Sequence, residues 1–387
     1  MKQVLLNDVG EVTKLAGFEF TKYMEYIPDG EIIAIRALNL KDGCLQLDDV
    51  KKISRHVADV LPRSQLHVND IVLSYTGTLG ECAQIREEGK YHLAPNVAKI
   101  TPRKNIDPDY LFQIIRSKEF KNEVMNYSHG STQRTIPMKI IRGLPIKILP
   151  LDQQHKVASI LKNLDEKIEI NKYINKNLFI QAQSLYRSRF IDFYPFNGAL
   201  PKSWNVSTVS EIIDFHDSKR IPLSNRERAM QNKIYPYYGA ASIVDYVEGY
   251  LFDGIYLLLG EDGSVVDDKG FPVLQYVEGK FWANNHTHII TGKNGFSTEL
   301  VYLLFSLTNM TSVVTGAVQS KISQTNLNKV PVVIPPTEEL KNMNAIIQPF
   351  FSMIRNLRKE SGKLVAIRNS LLKEIMSGEI DISSVDI

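Results

Sequence analysis

Cysteine is nearly absent: Cys44 and Cys82 are the two in 387 residues. That usage argues against a disulfide framework or a cysteine-built zinc site and sets the expectation of a reducing cytoplasm. Long apolar runs are missing as well, so no membrane partner is expected. The opening MKQVLLNDVG lacks the basic-then-apolar pattern of a secretory signal. Charge is nearly balanced, 46 basic against 43 acidic residues for a net of +3. The balance is +3 over 1–150, +3 over 151–190, −3 over 191–336 and zero over 337–387. Net charge therefore neither announces nor excludes a nucleic-acid partner, and any phosphate contact rests on local clusters. Catalytic signatures are lacking too. No Asp/Asn-Pro-Pro-Tyr/Phe tetrapeptide is available to hold an extruded adenine, and Gly292-Lys293 lacks the glycine five positions earlier that a nucleotide loop needs. No carboxylate spacing marks a metal nuclease. The expectation is a chain without catalytic residues and without a metal or cofactor of its own.

What is present is a long amphipathic stretch, Leu151 to Phe190. Val157, Leu164, Leu178 and Leu185 share one heptad position, Leu161, Ile168 and Ala182 another, and Asn171 and Asn175 interrupt the seam. Such spacing predicts a helix that pairs with one partner helix. Forty helical residues would span roughly 60 Å, more than one globular core requires. An offset of 186 residues supplies the partner. It superposes Gly130 on Gly316, Gln133 on Gln319, Ile136 on Ile322, and Pro150 on Pro336. It also carries Leu161, Leu164, Ile168, Leu178 and Leu185 onto Ile347, Phe350, Ile354, Leu364 and Leu371, with Leu357 in the same seam. Upstream of the matched Gly-x-x-Gln loops the copies diverge, so the repeat is read as confined to the helices and their approach. Pro349 falls inside the second helix, where it should kink it or delay its start.

The predicted fold class is therefore α+β: two β-rich globular regions separated by two long antiparallel coiled-coil helices, with a pseudo-twofold internal repeat. The expected divisions are 1–150 for the first head, 151–197 for the central helix and linker, 198–336 for the second head, and 337–387 for the distal helix and tail. Two divergent heads on a spacer suit a bipartite target. Duplex DNA is one, with half-sites about 34–36 Å apart per helical turn.

Several stretches together resemble the specificity (S) subunit of type I restriction–modification enzymes over essentially the whole chain. PLDQQHKVASILKNLDEKIEINKYINKNLFIQAQSLYRSRFIDF is similar to that family's central region. IRALNLKDG, DIVLSYTGTLGE and YHLAPNVAKI resemble one target-recognition domain; YPYYGAASIVDYVEGYLFDGIYLLLGEDG and GKFWANNHTHII resemble another subtype; LLKEIMSGEIDI resembles the distal repeat. The resemblance implies that each head reads half of a split DNA site and that the helices set the spacing. It also implies that two methylation subunits and the restriction (translocase/nuclease) subunits are partners. S-adenosylmethionine, ATP and Mg are then expected in those subunits. Two rival readings remain open: a self-contained DNA methyltransferase or nuclease with a cryptic site, and a coiled-coil adaptor with protein-binding heads.

Candidate DNA-contacting residues follow from chemistry. In the first head they are Lys51, Lys52, Arg55 and Arg63, in a charged run that is otherwise solvated, and the hydroxyl-rich turn Ser74, Tyr75, Thr76 and Thr78, which otherwise is a plain tight turn. Gln133 with Arg134, and Gln319 with Lys321, occupy matched loops. Their retention in both copies favours junctions or backbone contacts over base reading. In the second head Lys219, Arg220, Arg226 and Arg228 form the clear basic cluster. Asn284, Asn285, His286 and His288 offer polar groups; the His-x-His spacing also suits a metal, but no third ligand is evident.

Overall fold

The computed structural model describes residues 2–130, 134–316, 319–383 and 385. It divides into two compact units, one made of residues 1–169 with 362–387 and the other of residues 170–361. Both divisions fall inside the long helices. Each unit is thus a β-rich head joined to half of each long helix.

The first unit has strands β1 (Lys2–Leu5), β2 (Gly10–Lys14), β3 (Ile32–Ile35), β4 (Lys51–Ile53), β5 (Gln65–Leu66), β6 (Ile71–Ser74), β7 (Cys82–Gln84), β8 (Tyr91–Leu93) and β9 (Val97–Pro102). Helix α1 (Pro108–Arg116) and strand β10 (Pro145–Ile148) follow, then α2 (Leu151–Phe190). The sheets order as β1-β10, β4-β3-β8-β5 and β2-β9-β6-β7. Ile71, Val72 and Leu73 are buried on both faces of β6, which explains why the strand reads as an apolar run rather than an alternation. Helix α1 starts where Pro108 follows Asp107, whose carboxylate accepts the Tyr110 N–H at 2.8 Å.

The second unit has β11 (Asn205–Thr208), β12 (Ile213–Phe215), β13 (Tyr235–Tyr238), β14 (Ile243–Val247), β15 (Phe252–Gly260), β16 (Leu274–Ala283) and β17 (Thr287–Gly292). Helix α3 (Thr298–Leu307), strand β18 (Pro331–Ile334) and helix α4 (Thr337–Ser377) complete it. β11 pairs with β18, and the other strands form one sheet, β12-β17-β15-β16-β13-β14.

The heads are two copies of one fold, which corrects the expectation that the repeat stops at the helices. Leu6 N–H donates to Leu144 O at 2.9 Å, and Val209 N–H to Val330 O at 2.9 Å. Arg103 N–H donates to Val9 O at 2.9 Å, and Lys293 N–H to Ile212 O at 2.8 Å. Ala94 N–H donates to Ile35 O, and Asn284 N–H to Tyr238 O, both at 3.0 Å. The residue offset is 203 at β1 and β3, 186 at β6, 190 from β8 to α1, and 186 again from His129 onward. Changes in segment length between frame elements break any gapless comparison.

Within the first unit Val157, Ala158 and Leu161 share a core with Leu372, Ile375 and Ile382, while Leu164 and Leu371 pack against it half-buried. Ile168 is buried and Leu364 half-buried. The helix halves run antiparallel, because Asp165 meets Arg368 while Lys156 reaches Ser383. Within the second unit Ala182, Tyr186 and Phe190 share a core with Leu340, Met343, Ile347, Phe351 and Ile354; Leu178 and Phe350 pack against it, and Leu357 is half-buried. Here too the sense is antiparallel, with Asn171 on Glu360 and Arg189 on Glu339. Leu185 departs from the expected seam. It is exposed, and the aromatic Tyr186 beside it turns into the core instead. Asn171 is buried and bridges the two helices through Glu360 at 2.8 Å and Ser361 at 3.3 Å. The second helix starts at Thr337 and runs through Pro349 to Ser377, so Pro349 does not delay it.

Candidate nucleic-acid interface

In the first head the turn after β6 is tied to the loop that precedes β10. Thr76 Oγ1 meets Thr135 Oγ1 at 2.9 Å, Gly77 N–H donates to Arg134 O at 3.0 Å, and Ile136 N–H to Tyr75 O at 3.0 Å. Gly77 has φ +83°, a conformation that favours glycine, and it lets the chain reverse there. Ser74 Oγ is buried and donates to Thr78 O while accepting the Glu81 N–H. It closes the turn and has no face for a ligand. Tyr75 is half-buried, and burial raises its phenol above the ordinary range. Beside this turn lies a groove of about 440 Å³ lined by Tyr26, Arg36, Leu38, Thr76, Thr78 and Asn96. The Arg36 guanidinium is held by Asp49 at 3.0 Å.

None of Lys51, Lys52, Arg55 and Arg63 lines that groove. Lys51 and Lys52 lie on the outer strand β4, Arg55 reaches Gly89 O at 3.2 Å, and Arg63 stands 3.6 Å from Glu19. Gln133 lies outside the described residues, while Arg134 is exposed.

The second head repeats the turn at the same offset. Gly263 N–H donates to Ser320 O and Ile322 N–H to Glu261 O, each at 2.9 Å, and Gly263 has φ +85°. Gly316, at φ +91°, lies where an added Cβ would stand 2.1 Å from Gln319 O, so the shared loop requires glycine. Gln319 is exposed. Around this turn the predicted residues separate into two groups. Arg220, 15% exposed at its side chain, donates to Glu261 at 2.7 Å and Thr287 O at 2.8 Å. His288 is buried between Asp217 at 2.6 Å and Ile322 O at 2.7 Å, and Lys321 pairs with Glu261 at 3.2 Å. Arg228 pairs with Asp245 at 3.1 Å and stacks over the Tyr237 ring. These four serve the head's own structure. Lys219 and Arg226 are exposed; Asn285 is exposed and gives its carbonyl to Arg220; Asn284 accepts the His286 N–H at 2.9 Å. His286 is exposed, with Nδ1 2.6 Å from Asp262.

His286 and His288 therefore do not converge on one ligand. Among the described residues, Asp217, Glu261 and His288 are the one group with ligand atoms close enough to share a metal ion, within 4.8 Å. Arg220 and Lys321 already occupy the carboxylates, so a cation would have to displace two ion pairs. Burial pushes the Asp217 carboxyl up, but hydrogen bonds from His288, the Ile289 N–H and Gln324 outweigh it and hold it below the usual carboxylate range.

The signal that sequence reading missed is Asn96. It stands immediately before β9 in the groove, at φ +72°. Its counterpart is His286, because Tyr75 N–H donates to Asn96 O at 3.1 Å just as Glu261 N–H donates to His286 O at 2.9 Å.

Two copies of one β-rich head, each presenting polar loops at the same place in a shared backbone frame, define a protein built as an internal repeat of one module. The family model described as "Type I restriction modification DNA specificity domain" matches residues 1–178 and 201–364, and the chain belongs to that family. The type I restriction enzyme MjaIX specificity subunit of Methanocaldococcus jannaschii is 24% identical over 313 residues, 74% of this chain and 72% of the relative. A putative type I specificity subunit of Haemophilus influenzae, S.HindORF215P, is 34% identical over 142 residues, 36% of each chain. The crystal structure of the S subunit of a type I restriction-modification system from M. genitalium shares the fold at 16% identity, with a TM-score of 0.52 over 96% of this chain and 95% of that one.

Proposed function

We propose that this chain is the DNA-recognition specificity subunit of a type I restriction–modification complex, each head reading one half of a bipartite duplex site. The observation that carries the reading is the coincidence of two family-matched stretches with two structurally equivalent heads. In this reading two methylation subunits and the restriction subunits bring S-adenosylmethionine, ATP and Mg, in the cytoplasm, and the long helices set the distance between half-sites. This chain contributes sequence choice and no chemistry.

The test is binding by the chain assembled with its methylation subunits at physiological salt. Specific protein–DNA complexes are typically ~10³-fold or more tighter than the same protein on unrelated DNA. Equal affinity for target and scrambled duplexes would refute the reading. Insertion of helical residues into both long helices should lengthen the unread spacer and leave both half-sites unchanged.

A further inference from the structure

The shared frame of the two heads permits a comparison of what each presents at the same place. In the first head the groove brings together the segments 36–38, 76–78 and 95–96. The matching hydrogen bonds place 239–241, 262–264 and 285–286 at the equivalent positions of the second head. There, Ala240 O lies 3.3 Å from where a Gly260 Cβ would stand, and the Asn284 amide lies 3.6 Å from that of Gly239. The backbone is common. The side chains differ: Asn96 with Thr76 in one head, His286 with Asp262 in the other.

Asn96 and His286 share a second property. Each is exposed, and each keeps a polar edge without a protein partner among the described residues: the Asn96 amide, and the Nε2 of His286. Several charges around them are committed. Arg36 is held by Asp49, and Arg220 and Lys321 by Glu261. An uncommitted amide or imidazole edge on a backbone-anchored loop, beside charges paired elsewhere, suits hydrogen bonding to a base edge rather than to phosphate.

We infer that Asn96 and His286 are equivalent base-reading residues, one for each half-site, and that Asp262 is a positioning residue for His286. The inference rests on the DNA-recognition reading above. An Asn amide offers a donor and an acceptor that match N7 and the N6 amino group of adenine. In the tautomer whose Nδ1–H donates to Asp262, Nε2 of His286 is an acceptor for an exocyclic amino group of adenine or cytosine. The Thr76 hydroxyl is engaged by Thr135, so the Asn96 amide is the freer polar group of the two.

The experiment maps methylated sites in DNA from cells expressing the full chain with its methylation subunits. Asn96→Gly keeps the positive φ and removes the amide; Asn96→Asp keeps the shape and replaces the amino donor by an acceptor. Each should lower preference at one base position of one half-site by roughly 10-fold to 100-fold, and Asn96→Asp should move it toward cytosine. His286→Ala should do the same at one position of the other half-site. Asp262→Asn should weaken that same position, an effect that a purely structural role would not confine to one base. Unchanged preference at every position, or a change in both half-sites together, would overturn the inference. An unmutated complex that shows no bipartite specificity would instead remove the DNA-recognition reading itself.

Discussion

Asp217 illustrates how a charged residue becomes part of a core. It lies on the segment before β13, is buried, and gathers His288 and the Ile289 N–H from β17, Gln324 from a second stretch and Arg220 from a third. Its folded-state pKa is depressed below the ordinary value near 4, so its ionised form contributes stability above that value. That contribution is lost as pH falls through the folded pKa. The second unit should therefore loosen on acidification below about pH 4, and Asp217→Asn should blunt the pH dependence while lowering stability by about 3 kcal/mol. Hydrogen exchange in β17 across a pH series checks both. This residue also shows what was hidden in the sequence. The basic cluster at 219–228 was visible as composition, yet which of its members are free depends on acids that arrive from distant segments. Lys219 and Arg226 stay exposed, whereas Arg220 and Arg228 are consumed by Glu261 and Asp245.

At the scale of elements, a short helix in each head is clamped to a long one by matched contacts. Lys162 pairs with Asp109 at 3.2 Å on α1, and Gln348 donates to Glu299 at 2.9 Å on α3. The two positions on the long helices are 186 apart and the two acids 190 apart, so the contact survived a change of length in the head. The first unit adds a clamp of its own. Asp165 accepts from Gln113 at 2.7 Å, Arg116 at 2.6 Å and Arg368 at 2.8 Å, joining α1 to both long helices. Asp165→Ala would leave two largely buried guanidinium groups without their carboxylate, a loss of about 3 kcal/mol. The expected readout is faster hydrogen exchange in 108–116 and 362–377, with 298–307 unaffected. The long helices were legible because heptad spacing is a local property of sequence. The common head was not, since its strands are short, its loops change length, and equivalence appears only in which backbone groups bond to which.

For the whole molecule, the decisive fact is that the first unit draws on both ends of the chain. Residues 1–169 supply its head and the first helix half, and 362–387 supply the antiparallel half that completes its core. Leu372, Ile375 and Ile382 are buried there against Val157, Leu161 and Tyr110, and the Tyr110 hydroxyl contacts Met376 Sδ at 3.5 Å. Burying a Leu or Ile side chain stabilises by about 1.5–3 kcal/mol, so these three alone are worth roughly 5–9 kcal/mol, comparable to the stability of a typical domain. Truncation after Ser361 should therefore unfold the first unit, although the deleted segment is the one furthest from the first head in sequence. The second unit, residues 170–361, keeps every partner of Ala182, Tyr186 and Phe190 and should remain folded. Limited proteolysis distinguishes the two outcomes: rapid cleavage within 1–169 alongside a protected fragment near 170–361 is expected. Equal protection of both would mean that the first head is stable without its C-terminal complement. The same dependence bears on exchanging heads between relatives. A transplanted 1–150 has to meet a compatible surface at 362–387 as well as at 151–169, so a chimera that carries both complementary segments should be the more stable one by thermal unfolding.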